Sequence, residues 1–279
     1  MNANEDGWSQ GRFAVDGVKL YSLNQINVLP KPVKLGIYRH LLPAQLLVDY
    51  GIDPDTLCNA QGIPLVTITC PAGSHVVEVD VRPEPEFEDP LLYLELRDTR
   101  LNQIEVMLFV VNDPSAERFA TDRDWRGQRT EFGVLCRNLP EEVRAMEAGL
   151  APGQVRGGLR QSRIQIPLFE DFVRRLGHDY YLMEPLSYHN ALLFERLGCN
   201  YVQGLCKMQW IQAAVQPGGC LHNAFDGSTP FRRPDAWRTI RGRSWAIHDG
   251  ILGDPWHGVR MYKRVGRHAG VDTFPGAVY

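Results

Sequence analysis

Between His75 and Asp113 apolar side chains return at every second position, and that period decides the class of fold. In HVVEVDV, Val77, Val79 and Val81 alternate with Glu78 and Asp80; in LLYLELR, Leu92, Leu94 and Leu96 alternate with Tyr93, Glu95 and Arg97. Both read as half-buried antiparallel strands, because a period of two puts one apolar face against a core and one polar face towards water. The next segment, IEVMLFVVND, is apolar at nearly every residue, which predicts a central strand covered on both faces.

The period changes on either side. KPVKLGIYRHLLPAQLLVDYGIDPDTL has a helical pattern broken at Pro43 and predicts two short helices. From Pro114 to Pro152 the chain is polar, and DRDWRGQRTEF followed by LPEEVRAMEAGL reads as an inserted loop and a short helix. A helix is predicted from Gly158 to Leu176 on the spacing of Phe169, Phe172, Val173 and Leu176, kinked or split at Pro167 and closed by Gly177. YYLMEP then reads as a strand, SYHNALLFERLG as a helix and NYVQGLCKMQWI as a strand. In that helix Ser187 is the expected cap, Leu193, Phe194 and Leu197 the apolar face, and Gly198 the left-handed terminator. In the tail, RSWAIHD and VRMYKRV read as strands.

The order predicts an α+β fold, a mostly antiparallel sheet with one helical crossover. The implied division is an N-terminal helical segment at 1–59, a core at 60–212 carrying the 114–152 insertion, and an extension at 213–279 packed on the core.

With 279 residues, 44% hydrophobic and 23% charged, the chain has the composition of a globular protein able to bury a full core. No apolar run approaches the roughly 20 residues of a membrane span. MNANEDGWSQGRF lacks the basic start and apolar stretch of a secretory leader, so a cytoplasmic location and no membrane partner are expected. The cysteines at 58, 70, 136, 199, 206 and 220 match neither paired CxxC spacing nor a small disulfide framework, and read as buried free thiols. The net charge of −3 carries no nucleic-acid signature, although residues 207–279 hold a net +5 against −8 elsewhere. FRRPDAWRTIRGRSW concentrates Arg232, Arg233, Arg238, Arg241 and Arg243, for which docking on the acidic remainder of the same chain is the simplest account.

Two stretches carry the functional expectation. Together with the element order, SYHNALLFERLGC resembles the GNAT superfamily of acyl-CoA N-acyltransferases, where the helix after the fifth strand reads Asn-x-x-Ala-x-x-x-Tyr-x-x-x-Gly-Phe. Aligned on the glycine, these positions fall on Ser187, Asn190, Phe194, Gly198 and Cys199, and only the glycine is identical. Phe194 stands where the family tyrosine protonates the departing thiolate. GQVRGGLRQ resembles the family's pyrophosphate turn, with Gln154, Arg156, Gly157 and Gly158 in place, Leu159 where glycine or alanine is usual, and Arg160 as an added cation. Glycines admit close backbone approach and a helix N-terminus supplies a positive field.

The resemblance covers roughly 60–212, interrupted by the insertion, and implies acetyl-CoA or another acyl-CoA as co-substrate, a small amine as acceptor and a base at the strand ends near the splayed centre of the sheet. Asp113 and Glu184 are the candidates, with His189 an alternative acid or base. A degenerate GNAT fold acting as a non-catalytic binding or scaffold protein is the rival reading, and a homo-oligomer is compatible with either. A third is a metal enzyme using His248, Asp249, Asp254, His257 and His268, whose spacing matches no tight ligand motif, so the expected metal set is none. His75 and Glu78 are a fragment of a metal motif whose remainder is missing.

Overall fold

The computed structural model describes residues 11–130, 136–159 and 162–279. The chain divides into two units: one holds the residues up to Pro114 with Gly158–Met183 and Arg264–Arg267, the other holds Ser115–Gly157, Glu184–Lys263 and His268–Tyr279.

In the first unit a short hairpin, β1 (Ala14–Val15) and β2 (Val18–Lys19), precedes helices α1 (Leu23–Asn27), α2 (Lys31–Tyr38) and α3 (Ala44–Asp49). The sheet follows in chain order as β3 (Val66–Thr69), β4 (Val76–Val81), β5 (Leu92–Asp98) and β6 (Ile104–Val111), each antiparallel to its predecessor. Val77, Val79 and Val81 are fully buried, as are Leu92 and Leu96, so the period of two is realised side chain by side chain. β6 departs from expectation: Ile104 and Glu105 are buried, but Val106–Val111 are only half-buried.

Helix α5 (Ser162–Arg175) then leads into β7 (Tyr180–Met183), which runs parallel to β6. The unit is thus α+β, with a mixed, mostly antiparallel sheet flanked by helices. Contrary to the expected kink or split, α5 runs unbroken through Pro167, because a proline near the helix start removes a single rung while the face of Phe169, Phe172, Val173 and Leu176 stays buried. Phe172 stacks on Tyr38 and Phe169 meets Tyr181 edge-on, which fixes α5 against α2 and β7.

Asp98, at the end of β5, acts as a long-range helix cap. Its carboxylate accepts from Leu23 N at 2.8 Å and Asn24 N at 2.9 Å, the first amides of α1, and receives His75 Nδ1 at 3.3 Å. Asp98→Ala orphans those amides and should cost about 2 kcal/mol in a urea titration. Unchanged stability would show that water replaces the carboxylate.

In the second unit, the 115–157 stretch is organised around helix α4 (Leu139–Glu147) and a small core of Phe119, Ala145 and Leu150. Phe119 N bonds Val155 O and Ala120 N bonds Glu141 Oε2, so both ends of the stretch are tied together. Helix α6 (Tyr188–Arg196) ends at Gly198 with φ +84°, where Cys199 N bonds Phe194 O and Gly198 N bonds Glu195 O. A β-carbon at Gly198 would lie 2.9 Å from His268 Cα, so conformation and space both require glycine. The buried face of α6 is not the expected one. Tyr188, His189, Ala191, Leu192 and Glu195 are buried, while Leu193, Phe194 and Leu197 are half-buried. Ser187 takes the cap position but turns its hydroxyl to His189.

NYVQGLCKMQWI was expected as one strand and instead splits at Gly204 into β8 (Asn200–Gln203) and helix α7 (Leu205–Val215). RSWAIHD is helical within α8 (Ile240–His248): Thr239 Oγ1 accepts Gly242 N at 3.0 Å and starts the helix, overriding the two-residue repeat of Trp245 and Ile247. β9 (Arg260–Arg264) is the expected strand and pairs antiparallel with β8. The cysteines also differ from expectation: Cys70 and Cys199 are buried and Cys58 partly so, but Cys136, Cys206 and Cys220 are exposed. No helix among the described residues is long and apolar enough to cross a membrane.

Candidate functional site

In the first unit the candidate region is the end of β6. Only Glu105 and Val106 pair with β7, opposite Leu182 and Met183, and Met107–Val111 continue past its end. The register against β5 shifts between Glu95 and Leu96, opposite Leu108 and Val106, which leaves Met107 as an extra residue in a bulge. Bulges re-aim side chains and leave backbone groups outside the ladder, and they recur beside reactive sites. Gly158 lies against this strand: a β-carbon there would sit 3.1 Å from Val111 O. Asp113 follows β6, partly exposed, and its charge reaches Tyr50, whose phenol is pushed up by burial and then by Asp113 and Asp49.

Within the second unit, Gln154, Arg156 and Gly157 lie together along the edge of the 115–157 stretch. Gln154 accepts Ala151 N on its side chain and Thr121 Oγ1 on its carbonyl. Arg156 Nη1 donates to Ala116 O at 2.5 Å, and a β-carbon on Gly157 would meet Ala116 Cβ at 3.5 Å. Arg160 lies outside the described residues. Glu184 is exposed at the end of its strand. Phe194 is half-buried on α6 and offers no proton.

His189, rather than lying in solvent, is buried on that helix. Its Nδ1 contacts Ser187 Oγ at 2.8 Å and Ser244 Oγ at 2.9 Å. Burial, followed by the charges of Arg241 and His248, pushes its pKa down to about 3. A neutral imidazole so reluctant to take a proton is a poor general base.

The tail histidines and aspartates separate into different roles. Asp249 accepts Arg137 Nη1 at 3.1 Å, Arg232 Nε at 2.8 Å and Thr229 Oγ1 at 2.8 Å. His248 faces Glu142, which also binds Arg137, and that carboxyl is held below its ordinary range because the bonds to His248 and Arg137 outweigh the effect of burial. His257 gives its carbonyl to Lys207 Nζ, and His268 bonds the backbone of Arg196 and Gly270. Asp254 acts on Lys207 through its charge. Among the described residues no three metal-ligating side chains converge.

Sequence reasoning missed Glu195 and placed Arg243 only in a basic stretch expected to dock on acidic residues. Glu195 is 2% exposed and accepts Tyr201 OH, Thr273 N and Thr273 Oγ1. Arg243 is fully buried, donates to Trp237 O, Tyr188 OH and Gln212 Oε1, and covers the ring of Phe274. The signal was present in α6, where Glu195 falls seven residues after Tyr188 on the stripe that includes Ala191 and Leu192. Beside Glu195 lies a cavity of about 380 Å³ between α6 and the C-terminal segment. Comparison with family models, with curated proteins and with solved structures yields no match for this chain.

Proposed function

We propose that the chain is a divergent GNAT-like N-acyltransferase that transfers an acyl group from acetyl-CoA or another acyl-CoA to a small amine. The observation that supports this reading is the course of β6: the fourth strand of an antiparallel run, bulged at Met107, paired in parallel with β7 for two residues and then continuing beyond it, with Gly158 against its far end. A β-carbon at Gly158 would sit 3.1 Å from Val111 O, so glycine lets the chain pass close to the far end of β6, and Gly157, Arg156, Gln154 and Arg160, the other residues of the proposed pyrophosphate turn, are its neighbours in sequence.

Acyl-CoA, when bound, supplies an activated thioester carbonyl. The chain must hold the amine, take its proton as nitrogen attacks, and donate hydrogen bonds to the carbonyl oxygen. Asp113 and Glu184 are the carboxylates able to accept that proton, and His189 is set aside because burial depresses its basicity. Backbone amides at the bulge in β6 would be those donors. Phe194 cannot protonate the thiolate; with an ordinary thiol pKa of about 8.5, loss of that acid slows the leaving step without abolishing it.

Isothermal calorimetry with acetyl-CoA tests the reading. Binding should be measurable, and Gly158→Ala should weaken it at least about tenfold, or roughly 1.4 kcal/mol, with a smaller loss of thermal stability. No heat and no melting shift at millimolar acetyl-CoA would remove the reading, and equal binding by the variant would move the pyrophosphate elsewhere. Phe194 favours a second reading, a GNAT-like fold that binds without turnover. Thiol release with a panel of amines separates the two.

A further inference from the structure

We propose that the second unit holds a binding site for a small organic ammonium ion with a compact apolar body, in the cavity between α6 and the C-terminal segment. The volume of about 380 Å³ lies in the range of small-molecule sites, and Leu192, Ile240 and Phe274 supply apolar walls. Glu195 and Asp272 line the same space, with Arg196 and His268.

Glu195 is the group that selects the ligand. It is 2% exposed, and its three donors, Tyr201 OH, Thr273 N and Thr273 Oγ1, are all neutral. Two of them belong to Thr273, between the lining residues Asp272 and Phe274, so the carboxylate reaches from α6 to the segment that forms the facing wall. Neutral donors leave the charge in place, and among the described residues no Lys, Arg or His nitrogen lies within ion-pair distance of it. An ionised carboxylate has about four acceptor positions, and Oε2 accepts Thr273 N alone, so one position stays open. A buried charge is ordinarily paired, and a cation entering the cavity would complete this one.

The other charges at the cavity do not reverse that sign. Arg196 and Asp272 are both exposed, where water and salt screen them, and they offset one another. The Arg196 guanidinium donates to Ala277 O at 2.6 Å, and Asp272 accepts Phe274 N at 3.1 Å. His268 Nδ1 accepts Gly270 N at 3.1 Å, a role that requires this nitrogen to carry no proton, so the imidazole adds no charge. Arg243 is buried as well, but it is held by Trp237 O, Tyr188 OH and Gln212 Oε1 and does not line the cavity. The helix ends cancel: Glu195 and Arg196 close α6 at its negative end, and Ile240 opens α8 at its positive end. One buried negative charge beside apolar walls remains, which fits an alkylammonium or arylalkylammonium ion and disfavours a carboxylate.

This site lies wholly in the second unit and does not depend on the acyl-CoA reading. The test titrates the full chain at neutral pH, where the amines are protonated, with isopentylamine, benzylamine and phenethylamine as probes and with benzyl alcohol and benzoate as neutral and charge-reversed counterparts. Ligand-observed NMR reads the binding. At least one amine should bind at millimolar concentration, and the alcohol and benzoate should bind at least about tenfold more weakly. In wild-type protein, nuclear Overhauser effects should connect that amine to the methyl groups of Leu192 and Ile240. Glu195→Gln keeps the size of the side chain and removes its charge, and it should weaken the amine at least about tenfold. Should that variant fail to fold, the preference for amine over alcohol and the Overhauser contacts decide the matter in wild-type protein. No amine binding at millimolar concentration, equal binding of benzyl alcohol or benzoate, contacts to other methyl groups, or unchanged affinity in a folded Glu195→Gln protein would overturn the proposal.

Discussion

Acidification from pH 6.5 towards pH 3 should remove on the order of 4 kcal/mol of stability through His189 alone, about 1.4 kcal/mol for each pH unit between the two pKa values. The folded imidazole has its pKa pushed down to about 3, against 6.5 for an ordinary histidine. Below pH 6.5 the unfolded chain therefore takes up a proton that the folded chain refuses. The stabilisation is complete above that value and is lost progressively as pH falls to the folded pKa. Burial explains most of the refusal, and Arg241 and His248 add like charge, while the Ser187 and Ser244 hydroxyls contact the neutral ring. Urea titrations at a series of pH values should show the slope in wild type and a much shallower one in His189→Gln. Glu142, also held below its ordinary range, is lost in the same direction and remains in both proteins, so the difference between them isolates His189. Parallel curves would mean that His189 accepts its proton in the folded state.

That burial bears on chemistry as well as stability. A histidine beside the aligned helix start looked like an acid or base in sequence, and a side chain titrating near neutrality would suit that task. The buried ring instead reads as a polar clasp between α6 and α8 through Ser244. Proton transfer in the proposed reaction is left to Asp113 and Glu184, which are partly exposed and exposed.

Periodicity exposes whatever depends on neighbours in sequence. The valines of β4 and leucines of β5 announced their strands because alternation is the direct consequence of one buried face. Gly198 announced a helix end because few residues adopt its backbone conformation. α8 was misread because Trp245 and Ile247 mimic a strand repeat, while the cap at Thr239 that selects the helix is a single hydroxyl. The face of α6 was rotated because apolarity alone picked Leu193, Phe194 and Leu197, whereas the true buried stripe includes Glu195 and His189. Those polar residues are buried only because partners 55 and 78 positions away, Ser244 and Thr273, satisfy them. Arg137 meets Asp249 across 112 residues in the same manner. Pairings at such separations leave no local pattern in the sequence.

Trp245→Ala should destabilise the chain by about 4–5 kcal/mol, the largest effect expected of any single substitution in α8. The indole is 1% exposed, stacks on Phe231 with centroids 5.2 Å apart, and meets His248 edge-on. Its truncation removes the apolar burial and leaves a cavity, since the surrounding side chains relax only in part. It also orphans Leu150 O, which accepts the indole N–H at 2.9 Å in a buried setting, a cost of about 1 kcal/mol or more. Trp245→Phe separates the two contributions: the smaller ring keeps most of the stacking on Phe231 but gives up the bond to Leu150, so about 1–2 kcal/mol should be lost. Equilibrium unfolding of the three proteins in urea at pH 7 provides the comparison. A loss below about 2 kcal/mol for the alanine variant would mean that α8 does not anchor a core. Equal losses for both variants would assign the stabilisation to the hydrogen bond and not to the packing.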